Sequence, residues 1–293
     1  MSVRPPGRQQ LPVIPWARTD RPVALLTGAT AGIGRASAEA LRAAGFLVYA
    51  TGRNREALAE LEAAGLPNMP LDVTDEQARL AAVQEIEKRH GRIDLLVNNA
   101  GYGVSGPLEE LALETVRANF ETNVFAMLHL SQLVLPGMRA RGSGRIINIG
   151  SIGGLFTAPG AGSYHMTKYA VEALSDALRA EVRGFGIDVV LVQPTGVKTG
   201  FIDTQLATLR PVGVDDPYAG FKTGFATRSR QLFEPRNRAS ITVDKAAAAI
   251  TRAAVTPKPR TRYKVGAAAR VLVWTRRLLP DRAWDRVALG QLS

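Results

Sequence analysis

An apolar segment at residues 23–27 leads directly into a glycine-rich turn and then into a helix start. The turn reads Gly28-x-x-x-Gly32-x-Gly34. Glycines at such a turn permit a sharp bend, close approach of the backbone to a phosphate and tight packing of helix on strand. The free amides and the dipole of the helix N-terminus attract negative charge. We therefore predict a strand–turn–helix unit that holds a dinucleotide pyrophosphate; the alternative is a tight corner without a ligand.

The rest of the chain repeats this strand and helix alternation, which is typical of a parallel sheet covered by helices. We predict strands at 23–27, 46–51, 68–71, 93–97, 145–150 and 187–193, and helices at 34–44, 55–64, 75–90, 111–141 and 163–183. With right-handed crossovers these elements form a doubly wound, Rossmann-type α/β sheet in a single domain over residues 22–265.

The alternation stops after Thr199, and residues 200–240 form a long segment without clear periodicity. Its scattered apolar side chains are Phe201, Leu206, Leu209, Tyr218, Phe221, Phe225 and Phe233. Excursions of this length commonly serve as lids or binding loops. We predict a substrate lid that favours a bulky apolar substrate. The alternatives are a poorly ordered insertion, or a lid whose aromatic residues only pack against the core.

Composition excludes several classes of site. The chain of 293 residues has no cysteine and only three histidines, so it has no disulfide framework, no thiolate nucleophile and no multi-histidine metal cage. We expect no metal. The formal net charge of +11 is concentrated at the ends, because residues 1–22 carry +3, residues 252–286 carry +8 and residues 23–251 are neutral overall.

The two basic ends have different predicted structures. Residues 1–21 are rich in proline and arginine and predict a disordered leader. Residues 266–293 predict an amphipathic helical extension with Val271, Trp274 and Leu278 along one stripe. That stripe either packs on the body or a second subunit, or lies on an anionic membrane surface. We expect no nucleic-acid binding, because no recognition motif accompanies the charge. No run is apolar enough to cross a bilayer, and a cytoplasmic protein is expected.

The end of the second predicted strand indicates which dinucleotide is bound. An acidic residue there would hold the free 2′-hydroxyl of NAD, but this chain has Arg53, and the first carboxylate is Glu56. The planar guanidinium pairs well with a 2′-phosphate. The sequence therefore favours NADP(H) over NAD(H), unless Arg53 is only a solvated loop charge.

Tyr164 and Lys168 lie four residues apart on a predicted helix and so project from one face. Tyrosine is a weak acid with an ordinary pKa of about 10, and a neighbouring ammonium favours its phenolate form. Ser151, at the end of the fifth predicted strand, would present a hydroxyl to a carbonyl oxygen. Together these residues predict proton transfer to or from a substrate oxygen.

With these motifs in order, the chain closely resembles the short-chain dehydrogenase/reductase family, and loosely its hydroxysteroid and retinol dehydrogenase branch. The matching pieces are Thr27-Gly-Ala-Thr-Ala-Gly-Ile-Gly34, Asp72-Val73, Asn98-Asn-Ala-Gly101, Asn123, Ser151, Tyr164-x-x-x-Lys168, and Pro194 with Thr199. They span about residues 22–200. The resemblance implies an oxidoreductase that interconverts a ketone or aldehyde and an alcohol with a nicotinamide cofactor.

The resemblance also implies roles for the site residues. Tyr164 would be the general acid/base, Ser151 would stabilise the substrate oxygen, Lys168 would lower the tyrosine pKa and hold the nicotinamide ribose, and Asn123 would position a relay water. The implied cofactor contacts are Gly28, Thr30, Gly32, Ile33, Gly34, Arg53, Asp72, Val73, Asn98, Ala100, Gly101, Tyr164, Lys168, Pro194, Val197 and Thr199. Thr195 stands where the family usually has glycine, and His165 is expected to be structural.

Two functions of different class follow. The first is an NADPH-dependent carbonyl reductase. The second is a cofactor-binding regulator or scaffold with the same fold and no turnover. A third hypothesis makes the basic C-terminus a membrane-binding module. The family resemblance further implies a homodimer or homotetramer formed through the long helices before Arg141 and around Tyr164.

Overall fold

The computed structural model describes residues 16–17, 21–234, 237 and 240–289. Within them, seven parallel strands form one sheet in the order β3-β2-β1-β4-β5-β6-β7. The strands are β1 (Val23–Leu26), β2 (Leu47–Gly52), β3 (Asn68–Pro70), β4 (Leu95–Asn98), β5 (Gly144–Ile149), β6 (Ile187–Pro194) and β7 (Arg262–Val265). The predicted doubly wound, Rossmann-type α/β fold is confirmed.

Helices cover both faces of this sheet. They are α1 (Gly32–Ala43), α2 (Arg55–Ala63), α3 (Glu76–His90), α4 (Leu113–Phe120), α5 (Ala126–Arg141), α6 (Gly162–Val182), α7 (Phe201–Leu206), α8 (Ala219–Phe233), α9 (Val243–Val255), α10 (Ala267–Leu278) and α11 (Asp281–Leu289). One apolar core lies between the sheet and α1, α2 and α9, and the other between the sheet and α3, α5 and α6. Because β1, β4, β5 and β6 are buried on both faces, most of their residues are apolar.

Three parts of the fold differ from the sequence predictions. Strand β7, which lengthens the sheet beyond β6, was not predicted. The single helix predicted over 111–141 is interrupted by a π-helical turn at Glu121–Phe125. Residues 200–240, predicted to lack regular structure, contain α7 and α8.

The described part of the N-terminal segment is packed on the body. Trp16 Nε1 donates to the carbonyl oxygen of Ala254 at 2.7 Å, and Ala17 is fully buried. These two residues therefore differ from the predicted disordered leader. Most of that leader, residues 1–15 and 18–20, lies outside the described residues, as do residues 290–293 of the C-terminal extension. No helix within the described ranges is long and apolar enough to cross a membrane.

Candidate active site

The predicted site residues gather at the carboxyl edge of the sheet. The chain winds outward from β1 to β2 and β3, and then returns to place β4 on the other side of β1. At such a reversal the loops after the two central strands separate and leave a crevice, where ligands of open α/β sheets bind. The turn after β1, the loop after β4, and the residues that follow β5 and β6 all open at this edge.

The glycine-rich turn has the geometry that its sequence predicts. Gly28 and Gly32 have φ angles of 66° and 53°. A Cβ at Gly34 would lie 2.0 Å from the carbonyl oxygen of Gly28, so only glycine lets α1 start this close to the turn. The first turn of α1 contains no acidic residue, and its N-cap, Ala31, offers no capping side chain. Its amides are therefore suited to a phosphate ligand, and the turn fits a dinucleotide.

Asn99 connects the loop after β4 to the glycine turn. Its Nδ2 donates to the carbonyl oxygens of Thr27 at 2.9 Å and Gly28 at 3.1 Å. Thr27 Oγ1 in turn accepts the backbone amides of Asn99 and Ala100, each at 3.1 Å. Sequence reasoning assigned no role to Asn99, although it lies inside a motif that was recognised. We conclude that Asn99 and Thr27 set the shape of the crevice between β1 and β4.

Asn98 ends β4 at the predicted edge of the sheet, but its side chain turns inward. Its side chain is buried and donates to Ser131 Oγ at 3.3 Å and Asn148 Oδ1 at 3.0 Å. The amide group thus points into the protein between β4, β5 and α5. Any contact with a ligand would come from the backbone of Asn98, while Ala100 and Gly101 continue along the edge of the crevice.

Arg53 projects from the end of β2 and its side chain is 79% exposed. Its Nη1 lies 3.8 Å from Asp72 Oδ2. A hydrogen bond from the backbone of Thr74, aided by the Thr74 hydroxyl and by Arg53, holds the pKa of Asp72 below its ordinary value. The guanidinium is thus loosely held at the crevice rim, where it can turn toward an anionic ligand.

The remaining predicted cofactor residues surround the same crevice. Thr30 and Ile33 belong to the turn and the start of α1, and Val73 is buried behind Asp72. Pro194 ends β6, Val197 pairs with Ile241 in an isolated bridge, and the side chain of Thr199 faces Gly32. The structure therefore places these residues around one crevice.

Thr195, which stands where the family usually has glycine, is buried beside Gly266. Its backbone amide donates to the carbonyl oxygen of Val265 at 3.0 Å. A Cβ at Gly266 would lie 2.6 Å from Thr195 Oγ1, so the side chain of Thr195 occupies the space that Gly266 leaves. The departure from the family pattern is accommodated by Gly266, next to β7.

Ser151 and Tyr164 are neighbours at the end of β5, where the serine side chain favours the phenolate form of the tyrosine. Ser151 Oγ accepts the amide of Gly153 at 3.0 Å, which fixes the serine in an extended conformation before a short 3₁₀ turn. The ring of Phe201, from α7, meets the Tyr164 ring edge-on with centroids 5.6 Å apart. The first turn of α7 therefore lies against the predicted general acid.

Lys168 is buried one helical turn after Tyr164. Its Nζ donates to the carbonyl oxygen of Ile149 at 2.9 Å and lies 5.6 Å from the centroid of the Tyr164 ring. Burial lowers the pKa of Lys168 to about 8. The ammonium is therefore directed at a strand carbonyl rather than at the phenol oxygen.

This position of Lys168 changes the expected acidity of the tyrosine. The resemblance implied a lowered tyrosine pKa, but burial raises the pKa of Tyr164 to about 12 against the smaller opposite effect of Ser151. Desolvation disfavours the charged phenolate. Burial therefore favours the protonated phenol, and the lowering of the tyrosine pKa by Lys168 stays a prediction.

Asn123 lies in the π-helical turn between α4 and α5. Its Oδ1 accepts the amide of Tyr102 at 3.0 Å, and its Nδ2 donates to the carbonyl oxygen of Tyr102 at 2.9 Å and to Thr167 Oγ1 at 3.0 Å. The side chain thus connects the loop after β4 to α6, beside Lys168. The relay water implied by the family stays a prediction.

His165, expected to be structural, holds the loop that follows Ser151. Its Nδ1 lies 2.7 Å from the carbonyl oxygen of Gly153, and the amide of Ala158 donates to its Nε2 at 3.1 Å. Burial lowers the pKa of His165, and a neutral ring with its proton on Nδ1 satisfies both contacts. His165 therefore positions residues 153–158 next to Tyr164.

Residues 200–234 pack down over the crevice. Lys222 is almost fully buried, and its Nζ lies 2.7 Å from both Glu110 Oε2 and Asp216 Oδ2. Tyr218 bonds Glu109 through its hydroxyl, and Thr208 Oγ1 accepts the amide of Ser105 at 2.8 Å. These contacts fix the segment to residues 105–110.

Comparison with protein families gives a match over most of this region. The family model described as short chain dehydrogenase matches residues 22–210. These residues include the glycine turn, the loop after β4, Ser151, Tyr164 and Lys168.

Individual relatives match over nearly the full length. The chain is 37% identical over 88% of its length to a 3-ketodihydrosphingosine reductase of Bacteroides thetaiotaomicron, of which 93% is covered. It is 33% identical over 92% of its length to an NADPH-dependent 3-dehydrocapnine reductase of Ornithobacterium rhinotracheale, of which 97% is covered. A crystal structure of a short-chain dehydrogenase from Streptomyces avermitilis superimposes with a TM-score of 0.75 at 36% identity, covering 92% of this chain and 98% of the other.

Proposed function

The chain belongs to the short-chain dehydrogenase family, and we propose that it is an NADPH-dependent reductase of a ketone carried on a long alkyl chain. As a member of this family it is an oxidoreductase that acts on CH–OH or C=O groups and binds a nicotinamide cofactor. The direction, the choice of NADPH and the long-chain substrate are the proposal.

One observation carries the reductive direction. Tyr164 lies beside Ser151 at the crevice, and burial raises the pKa of its phenol to about 12. A protonated phenol is a donor, so the resting side chain is ready to give a proton to a ketone oxygen. The Ser151 hydroxyl, fixed by the Gly153 amide, would stabilise negative charge on that oxygen. When bound, NADPH supplies the hydride for the carbonyl carbon.

The cofactor preference rests on Arg53 at the end of β2. We expect Arg53→Ala to lower kcat/KM for NADPH about 10- to 100-fold and to leave kcat/KM for NADH nearly unchanged, because a charge-assisted hydrogen bond is worth about 1.5–3 kcal/mol. Steady-state kinetics with both cofactors measures the ratio of kcat/KM for NADPH to kcat/KM for NADH. Arg55→Ala, two residues further on, is the matched control and should change neither value. An unchanged NADPH to NADH ratio in Arg53→Ala would contradict the assignment.

The long-chain substrate is proposed from the segment over the crevice and from the relatives. Phe201 contacts the catalytic tyrosine, and Phe221 and Phe225 stack with centroids 6.5 Å apart on the same segment. An apolar lid of this kind suits a chain without charge. A protein named as a 3-ketodihydrosphingosine reductase and another named as a 3-dehydrocapnine reductase are among the relatives, and both names specify reduction at a 3-position.

NADPH oxidation with a homologous series of 3-ketones tests this substrate class. Each CH₂ that is buried should raise kcat/KM about fourfold until the crevice is filled, since burial of a CH₂ contributes about 0.8 kcal/mol. A flat response to chain length would contradict a long-chain substrate. Tight NADPH binding without turnover of any ketone would instead favour the regulator or scaffold.

We also propose that the protein acts in the cytoplasm as a homodimer or homotetramer. Large apolar side chains are exposed on the two helices that the family resemblance implicates: Phe125 precedes α5, and Met166 and Tyr169 lie on α6. Their burial against a second copy would remove these surfaces from water.

A further inference from the structure

Helix α10 carries an apolar stripe that the body of the protein does not cover. Val271, Trp274 and Leu278 are 69%, 61% and 76% exposed, while Val273 on the opposite side is 3% exposed. The sequence alone allows this stripe to pack on the body, and the structure excludes that arrangement for these three side chains. A tryptophan and two aliphatic residues in water require a partner or an apolar environment.

The surroundings of the stripe are basic. The Arg277 guanidinium lies 5.9 Å from the centroid of the Trp274 ring, and Arg277, Arg282 and Arg286 are exposed. Residues 252–286 carry ten Lys and Arg against two acidic residues. An apolar stripe edged by arginines and containing tryptophan is the pattern of a helix that lies in the plane of a membrane interface. Each basic residue near an anionic leaflet adds to the attraction.

Helices α10 and α11 also lie next to the wall of the active site. Arg276 joins them through an ion pair of 2.8 Å with Asp281. Trp284, on α11, is buried; its Nε1 donates to the carbonyl oxygen of Thr157 at 3.2 Å, and its ring meets that of Phe156 edge-on at 5.6 Å. The Phe156 ring is 6.0 Å from that of His165, the neighbour of Tyr164. A surface bound to α10 would therefore lie close to the loop that borders the site.

We propose that α10 binds an anionic membrane surface through Val271, Trp274 and Leu278, and so holds the crevice near the lipid from which its substrate comes. This proposal rests on the proposed long-chain substrate. A second copy of the chain is a poorer occupant. Three side chains are far fewer than the roughly 20–30 residues a side of a stable interface, and two faces with this positive charge would repel each other.

The test is sedimentation of the full chain with vesicles of phosphatidylcholine alone or mixed with phosphatidylglycerol. We expect the wild type to bind the mixed vesicles only, and added salt to weaken this binding. Trp274→Glu should reduce the binding at least tenfold, and Arg277→Gln about threefold. Phe185→Glu is the matched control, because Phe185 is an exposed aromatic with an arginine, Arg139, 5.7 Å from its ring; it should bind like the wild type. Both glutamate variants should keep normal turnover of a short, water-soluble ketone.

Several results would overturn the proposal. The first is that the protein binds neutral and anionic vesicles equally well. The second is that Trp274→Glu binds the vesicles as well as the wild type. The third is that the protein binds no vesicles but self-associates, and that Trp274→Glu abolishes the self-association. The proposed function is tested separately, with long-chain ketone dispersed in detergent. If the protein reduces the detergent-dispersed ketone but does not bind vesicles, only the membrane proposal is wrong. If it binds vesicles but reduces no ketone, the proposed reductase function is wrong.

Discussion

Replacement of Tyr164 by phenylalanine is expected to lower kcat for ketone reduction about 10²- to 10⁴-fold. The change removes one oxygen, that of the phenol whose pKa the neighbouring Ser151 affects. General acid catalysis contributes about this factor. Single-turnover measurements with excess NADPH separate the chemical step from product release.

Two further measurements distinguish the loss of the proton donor from a general loss of structure. Tyr164→Phe should bind NADPH with an affinity within about threefold of the wild type, because the ring and its packing against Phe201 remain. Tyr169→Phe is the matched control: this tyrosine lies on the same helix and is 43% exposed, and the change should leave kcat unchanged. If Tyr164→Phe retained kcat within tenfold of the wild type, Tyr164 would not be the proton donor.

Substitution of Arg145 by methionine is expected to lower the free energy of unfolding by about 3–5 kcal/mol, because it leaves carbonyl oxygens around Arg145 without a donor, at about 1–3 kcal/mol for each buried acceptor. The arginine is fully buried on β5. Its Nη2 lies 2.6 Å from Asp188 Oδ2, and its Nη1 donates at 2.8 Å to each of three carbonyl oxygens at the end of α9. Methionine fills much of the volume but leaves these acceptors without a donor.

Urea unfolding at fixed protein concentration measures this loss. Arg117→Met is the control, because Arg117 pairs with Glu114 at the surface, with both side chains mostly exposed; such pairs contribute about 0–1 kcal/mol. A loss below about 1 kcal/mol in Arg145→Met would mean that water replaces the guanidinium, and that the end of α9 is not held by this side chain.

The sheet was predictable because its central strands are apolar runs followed by recognisable turns. Strand β7 was not predictable, because its sequence, Arg262-Tyr-Lys-Val265, is short and half polar. It joins the sheet because β6 offers an open edge. Helix α8 was not predictable either, because it contains Gly220 and Gly224 and its apolar residues do not repeat at helical spacing. Contacts far apart in sequence, such as that of Lys222 with Glu110, hold its segment in place.

In the site, the sequence indicates which residues meet but not how their side chains are oriented. The strand order brings Ser151 and Tyr164 to one edge, as predicted. Lys168 bonds Ile149 and Asn98 bonds Asn148 because nearby buried acceptors compete for their donors. Spacing along the chain contains no information on that competition. Trp284 was missed for the same reason, because its partner Thr157 is 127 residues away.

Transfer of deuterium from 4-deuterated NADPH to a long-chain 3-ketone is the most direct test of the reductase. The account predicts an alcohol labelled at the carbinol carbon in a single configuration, formed by the wild type and not by Tyr164→Phe. Full binding of NADPH without formation of a labelled alcohol from any of the ketones would contradict it.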